Sequence, residues 1–127
     1  MALIPLNKFL TKTTLLSNVT TSTVYTAPIG VTSIILMAQI ANISTETQTV
    51  SVLHHRTRPV IADAQGNGAQ TGDTDSFLVK DFSVPANDAA SVLTGKLIIE
   101  SLDTVRAGAS TTGTLQLILS ILETANA

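Results

Sequence analysis

His54 and His55 are the first side chains in this chain of 127 residues that a metal or an acid–base reaction could use. They stand in residues 47–56, where apolar and polar residues alternate with period two, the pattern of a strand. Successive side chains of a strand point to opposite faces, so the two imidazoles cannot close on one ion without a bulge. One is expected at a sheet surface and the other partly buried. Asp63, Asp73 and Asp75, in a Gly-bearing stretch, offer the oxygen ligands that calcium takes. The fixed offsets and closing Glu of an EF-hand loop are missing, so a solvated loop is the main reading and a weak calcium site the open alternative. Glu46, Glu100 and Glu123 fall at expected turns or strand ends, where solvated acids live. There is no Gly-x-Ser-x-Gly elbow, no phosphate-cradling loop and no Gly-x-Gly-x-x-Gly turn. The chain has no cysteine, which removes disulfides, thiolate metal sites and cysteine nucleophiles. No catalytic residue, cofactor or metal ligand is assigned, and the chain reads as a non-enzyme. Arg56 and Arg58 precede the long loop; they are candidate contacts to carboxylates of a partner, or ordinary solvated bases.

The elements that would hold these residues are strands. Twenty threonines, with Val, Ile and Leu supplying the apolar fraction, favour pleated structure, because β-branched side chains lose χ1 freedom in helices. The spacing predicts strands over 8–17, 23–26, 32–42, 47–56, 77–84, 90–93, 96–100, 103–107 and 114–123, with turns at Pro28–Gly30 and Pro85–Asp88. In 32–42, Ile34, Leu36, Ala38 and Ile40 share one expected face, and Ile35, Met37, Gln39 and Ala41 the other; a central strand covered on both sides reads this way. A short connection over 42–46 predicts that 32–42 and 47–56 form a β-hairpin. Residues 57–75, with Pro59, Gly66, Gly68 and Gly72, form a polar loop too long for routine connection. The last segment is closer to period two than to a helix, although an amphipathic helix is its alternative. Eight or nine strands at this spacing give an all-β fold, a two-sheet β-sandwich of jelly-roll type, with a closed barrel as the rival. One domain, 9–127, is expected behind an N-terminal arm, 1–8, whose Leu3, Ile4 and Leu6 are candidate partner contacts; a strand folded back on the domain is the alternative for the arm.

Charge and leader signals narrow the setting. With 13% charged residues and a formal net charge of −2, the chain has no electrostatic hold on nucleic acid or on an acidic membrane. Neither a signal peptide nor a membrane helix is legible, so the chain is expected to stay where it is made, or to be packaged from there. Asn18-Val19-Thr20 and Asn42-Ile43-Ser44 match the N-glycosylation pattern by abundance of Thr and Ser alone. Aromatics make up 3%, and Tyr25 is the one ring considered for a glycan platform.

Three blocks carry a resemblance: Val24-Tyr25-Thr26-Ala27-Pro28-Ile29-Gly30-Val31-Thr32-Ser33-Ile34-Ile35-Leu36; Phe77 to Pro85 followed by Val92 to Glu100; and Leu119-Ser120-Ile121-Leu122-Glu123. Together they resemble small structural proteins of tailed bacteriophages, especially those of aquatic hosts, over residues 8–123, with a longer loop at 57–75. The resemblance implies a β-sandwich virion component made in the bacterial host cytoplasm. Its implied role is capsid decoration, as a cement protein on the major capsid protein or other virion proteins, with a homotrimer favoured. A neck, collar or tail-associated component and a host-surface glycan-binding module are the alternatives.

Overall fold

Threonine, valine and isoleucine runs punctuated by Pro, Gly and Asn turns produce strands wherever the chain is described. In the computed structural model those residues are 7–17, 19–56, 61–62, 69–70 and 74–125, and no helix occurs among them. The strands are β1 (Asn7–Leu15), β2 (Ser22–Thr26), β3 (Val31–Asn42), β4 (Gln48–Arg56), β5 (Ile61–Ala62), β6 (Ala69–Gln70), β7 (Thr74–Val84), β8 (Ala89–Ser91), β9 (Leu97–Ile99), β10 (Thr104–Ala109) and β11 (Leu115–Ala125). The first sheet runs β1-β11-β3-β8, with β9 also paired to β3; the second runs β2-β10-β4-β7. All of these pairings are antiparallel. The fold is a β-sandwich of nine strands in two sheets, and the rival closed barrel is set aside because the two sheets do not join into one. The final segment is a strand, not a helix: Leu115, Leu117, Leu119 and Ile121 are all at most 1% exposed, the period-two burial of a sheet face.

The expected hairpin does not form. β3 pairs with β11, β8 and β9, whereas β4 pairs with β10 and β7, so residues 43–47 carry the chain from one sheet to the other. Asn42 causes this arch. Its side chain is buried; Nδ2 donates to the carbonyls of Glu46 (2.8 Å) and Val84 (2.9 Å), and Oδ1 accepts from the Ser44 amide (2.9 Å) and hydroxyl (2.7 Å). An Asx-type turn of this kind redirects the backbone out of the sheet plane.

The face assignment within β3 is also corrected. Ser120 lies opposite Met37, yet the next residue, Ile121, lies opposite Ile35, so Leu36 is an extra residue in a β-bulge. The bulge shifts the phase. Ser33, Ile35, Ala38, Ile40 and Asn42 all point inward and are buried, while both Leu36 and Met37 lie between two successive inward positions. A second bulge in β2 buries Val24 and Tyr25 together. The core is assembled from the inner faces: Ile35, Ile40, Ile99 and the β11 leucines from the first sheet, and Val50, Val52, Val84, Val105 and Ala107 from the second. Each such Leu, Ile or Val contributes roughly 1.5–3 kcal/mol by leaving water.

Smaller differences concern boundaries. β1 begins at Asn7, so Asn7 and Lys8 belong to the strand and not to the expected arm. The expected loop contains a two-strand ribbon, with Ile61 opposite Gln70 and Ala62 opposite Ala69. Leu3, Ile4, Leu6, Arg58, Asp63, Asp73 and Asn18 lie outside the described residues.

Candidate functional site

Among the described residues, three polar constellations and one bare surface are the places where the sandwich could act on anything. At the end of β4, the two histidines point to opposite faces, as a strand requires. His54 Nε2 lies 3.5 Å from Asp103 Oδ2, a carboxylate fully shut off from solvent just ahead of β10. His55 Nδ1 is hydrogen-bonded to Asp75 of β7, and these two residues are also register partners. Each imidazole therefore has its own acid, and the two do not converge. Asp75 is engaged in this way, and no cluster of three or more potential metal-ligating side chains exists among the described residues. Arg56 reaches Glu100 at 3.5 Å, with both side chains about half exposed, so this arginine makes a contact inside its own chain. An exposed pair of this kind contributes at most ~1 kcal/mol.

The second constellation ties the sheets together at that same end. Tyr25, on β2 of the second sheet, donates its phenol hydrogen to Glu123 of β11 and lies 2.6 Å from Ser33 Oγ on β3. Glu123 and Ser33 are themselves register partners. Two sequence expectations are corrected here. Tyr25 is 7% exposed and is an internal latch, not a platform for a sugar. Glu123 is not a free solvated acid, because it receives the phenol. The signal was the parity of β11, in which Glu123 continues the inward series of Leu115 to Ile121. Burial pushes the phenol pKa well above its ordinary value, and the hydrogen bond to the Glu123 carboxylate adds to the shift. A raised phenol pKa means the folded state prefers the neutral ring. Its stabilisation is complete below pH ~10, the unfolded value, and is lost as pH rises beyond it. The chain has one tyrosine and no tryptophan, so tyrosinate absorbance reports this residue alone. In an alkaline titration, tyrosinate is expected to appear together with loss of β circular dichroism; ionisation near pH ~10 with the fold intact would remove the latch from the argument.

The third constellation, at the opposite end, is the Asn42 arch, joined by Gln48 through Ser110, whose hydroxyl donates to Gln48 Oε1 at 2.8 Å. Asn42 is 3% exposed with its amide fully used, so the Asn42-Ile43-Ser44 pattern offers no accessible glycosylation site.

The bare surface is the outer face of the first sheet. Phe9, Leu122, Ile34 and Ile98 are successive register partners on β1, β11, β3 and β9, so their side chains share one face in a row across four strands. The neighbouring row, Leu10, Ile121, Ile35 and Leu97, points into the core. Phe9 is 72% and Ile98 59% exposed. Further along the same face are Met37, Ile118 and Leu15, separated by Thr11, Thr13, Ser120, Gln39 and Gln116. No Asp, Glu, Lys or Arg occupies an outward position of these strands among the described residues. The outer face of the second sheet differs in kind: it carries Arg106, His55, Asp75, Lys80 and Asp81, with Lys80 Nζ 5.5 Å from the Phe77 ring centroid. Sequence reasoning missed the bare face because the β3 bulge hides its phase, and the row exists only once β1, β11, β3 and β9 are neighbours.

No protein-family model matches the chain, and no curated protein is similar to it. Among solved structures, the chain is similar to a protein from work describing Bacillus endospore appendages as a family of disulfide-linked pili. That match has 11% identity and a TM-score of 0.44, over 95% of this chain and 88% of that one. It is also similar to a chain of the T13 IBDV viral particle, with 15% identity and a TM-score of 0.35, over 94% of this chain and 31% of that one. At these levels of similarity neither match carries an argument about what this chain does.

Proposed function

We propose that this chain is a non-enzymatic structural protein of a tailed-phage virion, and that its role is capsid decoration, cementing contacts on the major capsid protein. The observation that carries the reading is the charge-free outer face of the first sheet, set on a body latched at both ends by Asn42 and Tyr25. Large bare faces on small proteins are docking surfaces, and a body held at both ends transmits load between the things it touches. We read the strand order, β1-β11-β3-β8/β9 over β2-β10-β4-β7, as that of a jelly roll in which the edge strand beside β3 is split into two short strands, β8 and β9. In this picture the segment 1–6, with Leu3, Ile4 and Leu6, and the loop 57–75 with Arg58 grip neighbouring shell subunits. Many weak contacts repeated around a shell stabilise it through multivalency.

Quantitative mass spectrometry of purified particles tests the role. One copy per major capsid protein, or a simple fraction of that, is expected. About a dozen copies per particle would move the chain to the neck or tail, and absence from particles would reject the virion reading. A chain lacking residues 1–6 is expected to fold and to lose particle binding; unchanged binding would free the arm of any role.

A further inference from the structure

We infer that the outer face of the first sheet is covered by the same face of a second copy of this chain, the two sheets meeting across a two-fold axis. The inference rests on the reading of this face as a docking surface and names its occupant.

Strands β1, β11 and β3 at about 4.8 Å spacing, with about nine residues of overlap at about 3.3 Å each, and the short β8 and β9 end to end beside β3, give a face of ~530 Å² in projection. Two such faces together bury about 1,000 Å², the extent at which a specific interface begins. The face therefore has the extent a dimer needs without help from any loop. Its chemistry selects the occupant. An apolar row bordered by Thr, Ser and Gln contains nothing to neutralise a charge, so a partner presenting Lys or Glu would bury it unpaired. A second copy presents a surface free of charge by construction, and threonine, serine and glutamine hydroxyls and amides can satisfy one another across the contact. The other broad face of the sandwich fails this test, because Arg106, Lys80, Asp81 and Asp75 stand on it.

Geometry permits the contact. Two sheets pack face to face about 10 Å apart with their strands rotated by about 30° in β-sandwiches generally, and two copies can do the same. The two-fold places each Phe9–Leu122–Ile34–Ile98 row against its equivalent. The contact is isologous and closes at two copies, so it makes pairs and not fibres. A flat face used in this way yields a dimer as the unit, in place of the trimer that the family resemblance implies.

The test uses the purified full-length chain without particles, so it can fail while the role on the virion stands, and the converse also holds. Sedimentation equilibrium is expected to give twice the chain mass of 13.2 kDa. Phe9→Glu and Ile98→Glu alter side chains that are largely exposed in the single chain, so circular dichroism should be unchanged. Each is expected to raise the dimer dissociation constant at least ~100-fold by burying an unpaired carboxylate. Phe77→Glu, on the outer face of the second sheet and 48% exposed, is expected to leave the dimer intact. A wild-type chain that sediments as a monomer or a trimer overturns the proposal. So does a dimer that survives both Phe9→Glu and Ile98→Glu, or one that Phe77→Glu dissociates equally.

Discussion

Replacing Asn42 with alanine is expected to lower the unfolding free energy by about 3 kcal/mol, the largest loss for any single polar side chain of the sandwich. The amide makes four hydrogen bonds, to Glu46, Val84 and twice to Ser44, at 2.7 to 2.9 Å. Truncation strands the carbonyl of Val84, at the buried end of β7, and removes the side chain that turns the chain from one sheet to the other. A net ~1 kcal/mol for each bond in the cross-sheet pair, plus ~1–3 kcal/mol for a buried group left unsatisfied, gives that figure. Asn42→Asp makes the argument sharper. It keeps the acceptor for Ser44 but turns a donor into a second acceptor facing two carbonyls, so it is expected to be at least as damaging at neutral pH. Urea unfolding followed through Tyr25 fluorescence reads both variants. Loss of less than ~0.5 kcal/mol in Asn42→Ala would show that the arch is held by its backbone alone.

Gly108→Ala is expected to cost about 2 kcal/mol, although alanine is the smallest change available. A Cβ on Gly108 would stand 2.9 Å from the carbonyl carbon and oxygen of Thr20 and 3.0 Å from the amide nitrogen of Thr21. These are backbone atoms, where the chain approaching β2 crosses β10, and they cannot rotate aside. The strand or the crossing segment must shift, which strains the β2–β10 pairing beside the Val24 bulge. Gly95→Ala is the matched control, since a Cβ there meets nothing within 4 Å. It is expected to be neutral or to stabilise by ~0.4–1 kcal/mol through the unfolded chain. Equal midpoints for the two variants in thermal unfolding would discard the steric account.

The residues explain how much of this was legible in advance. Alternation in 115–121 and 48–52 survives in the structure, because each of those segments keeps one face on the core throughout. Residues 32–42 misled for a local reason: one inserted residue, Leu36, swaps the faces midway, and an apolar run leaves no polar residue to mark the change. The arch at 43–47 misled for a topological one. A short polar connection suits a hairpin or an arch equally, and the difference lies in where Asn42 sends its amide, 42 residues away in sequence. The histidines were placed correctly on opposite faces because strand geometry alone decides that. Their acids, Asp75 on β7 and Asp103 just ahead of β10, lie far away in sequence and could be assigned only after pairing. Glu123 and Tyr25 stood in the open as an acid and a ring, and their partnership spans 98 positions.

The position of β11 has a consequence for biosynthesis. It lies between β1 and β3, with Asn7 opposite Thr124 and Ala125 opposite Val31. The earliest described strand and the longest one therefore share a neighbour that is made after both of them. Until β11 is made, β1 has no partner in its sheet and β3 has only the short strands β8 and β9. Completion of the first sheet therefore waits for β11 and is slow, because pairings of such sequence separation must overcome loop-closure entropy before they gain anything. Chains in which β11 has yet to insert would persist after each burst of synthesis, with the inner, apolar faces of β1 and β3 open to other chains, and this is the interval in which chaperones would matter most.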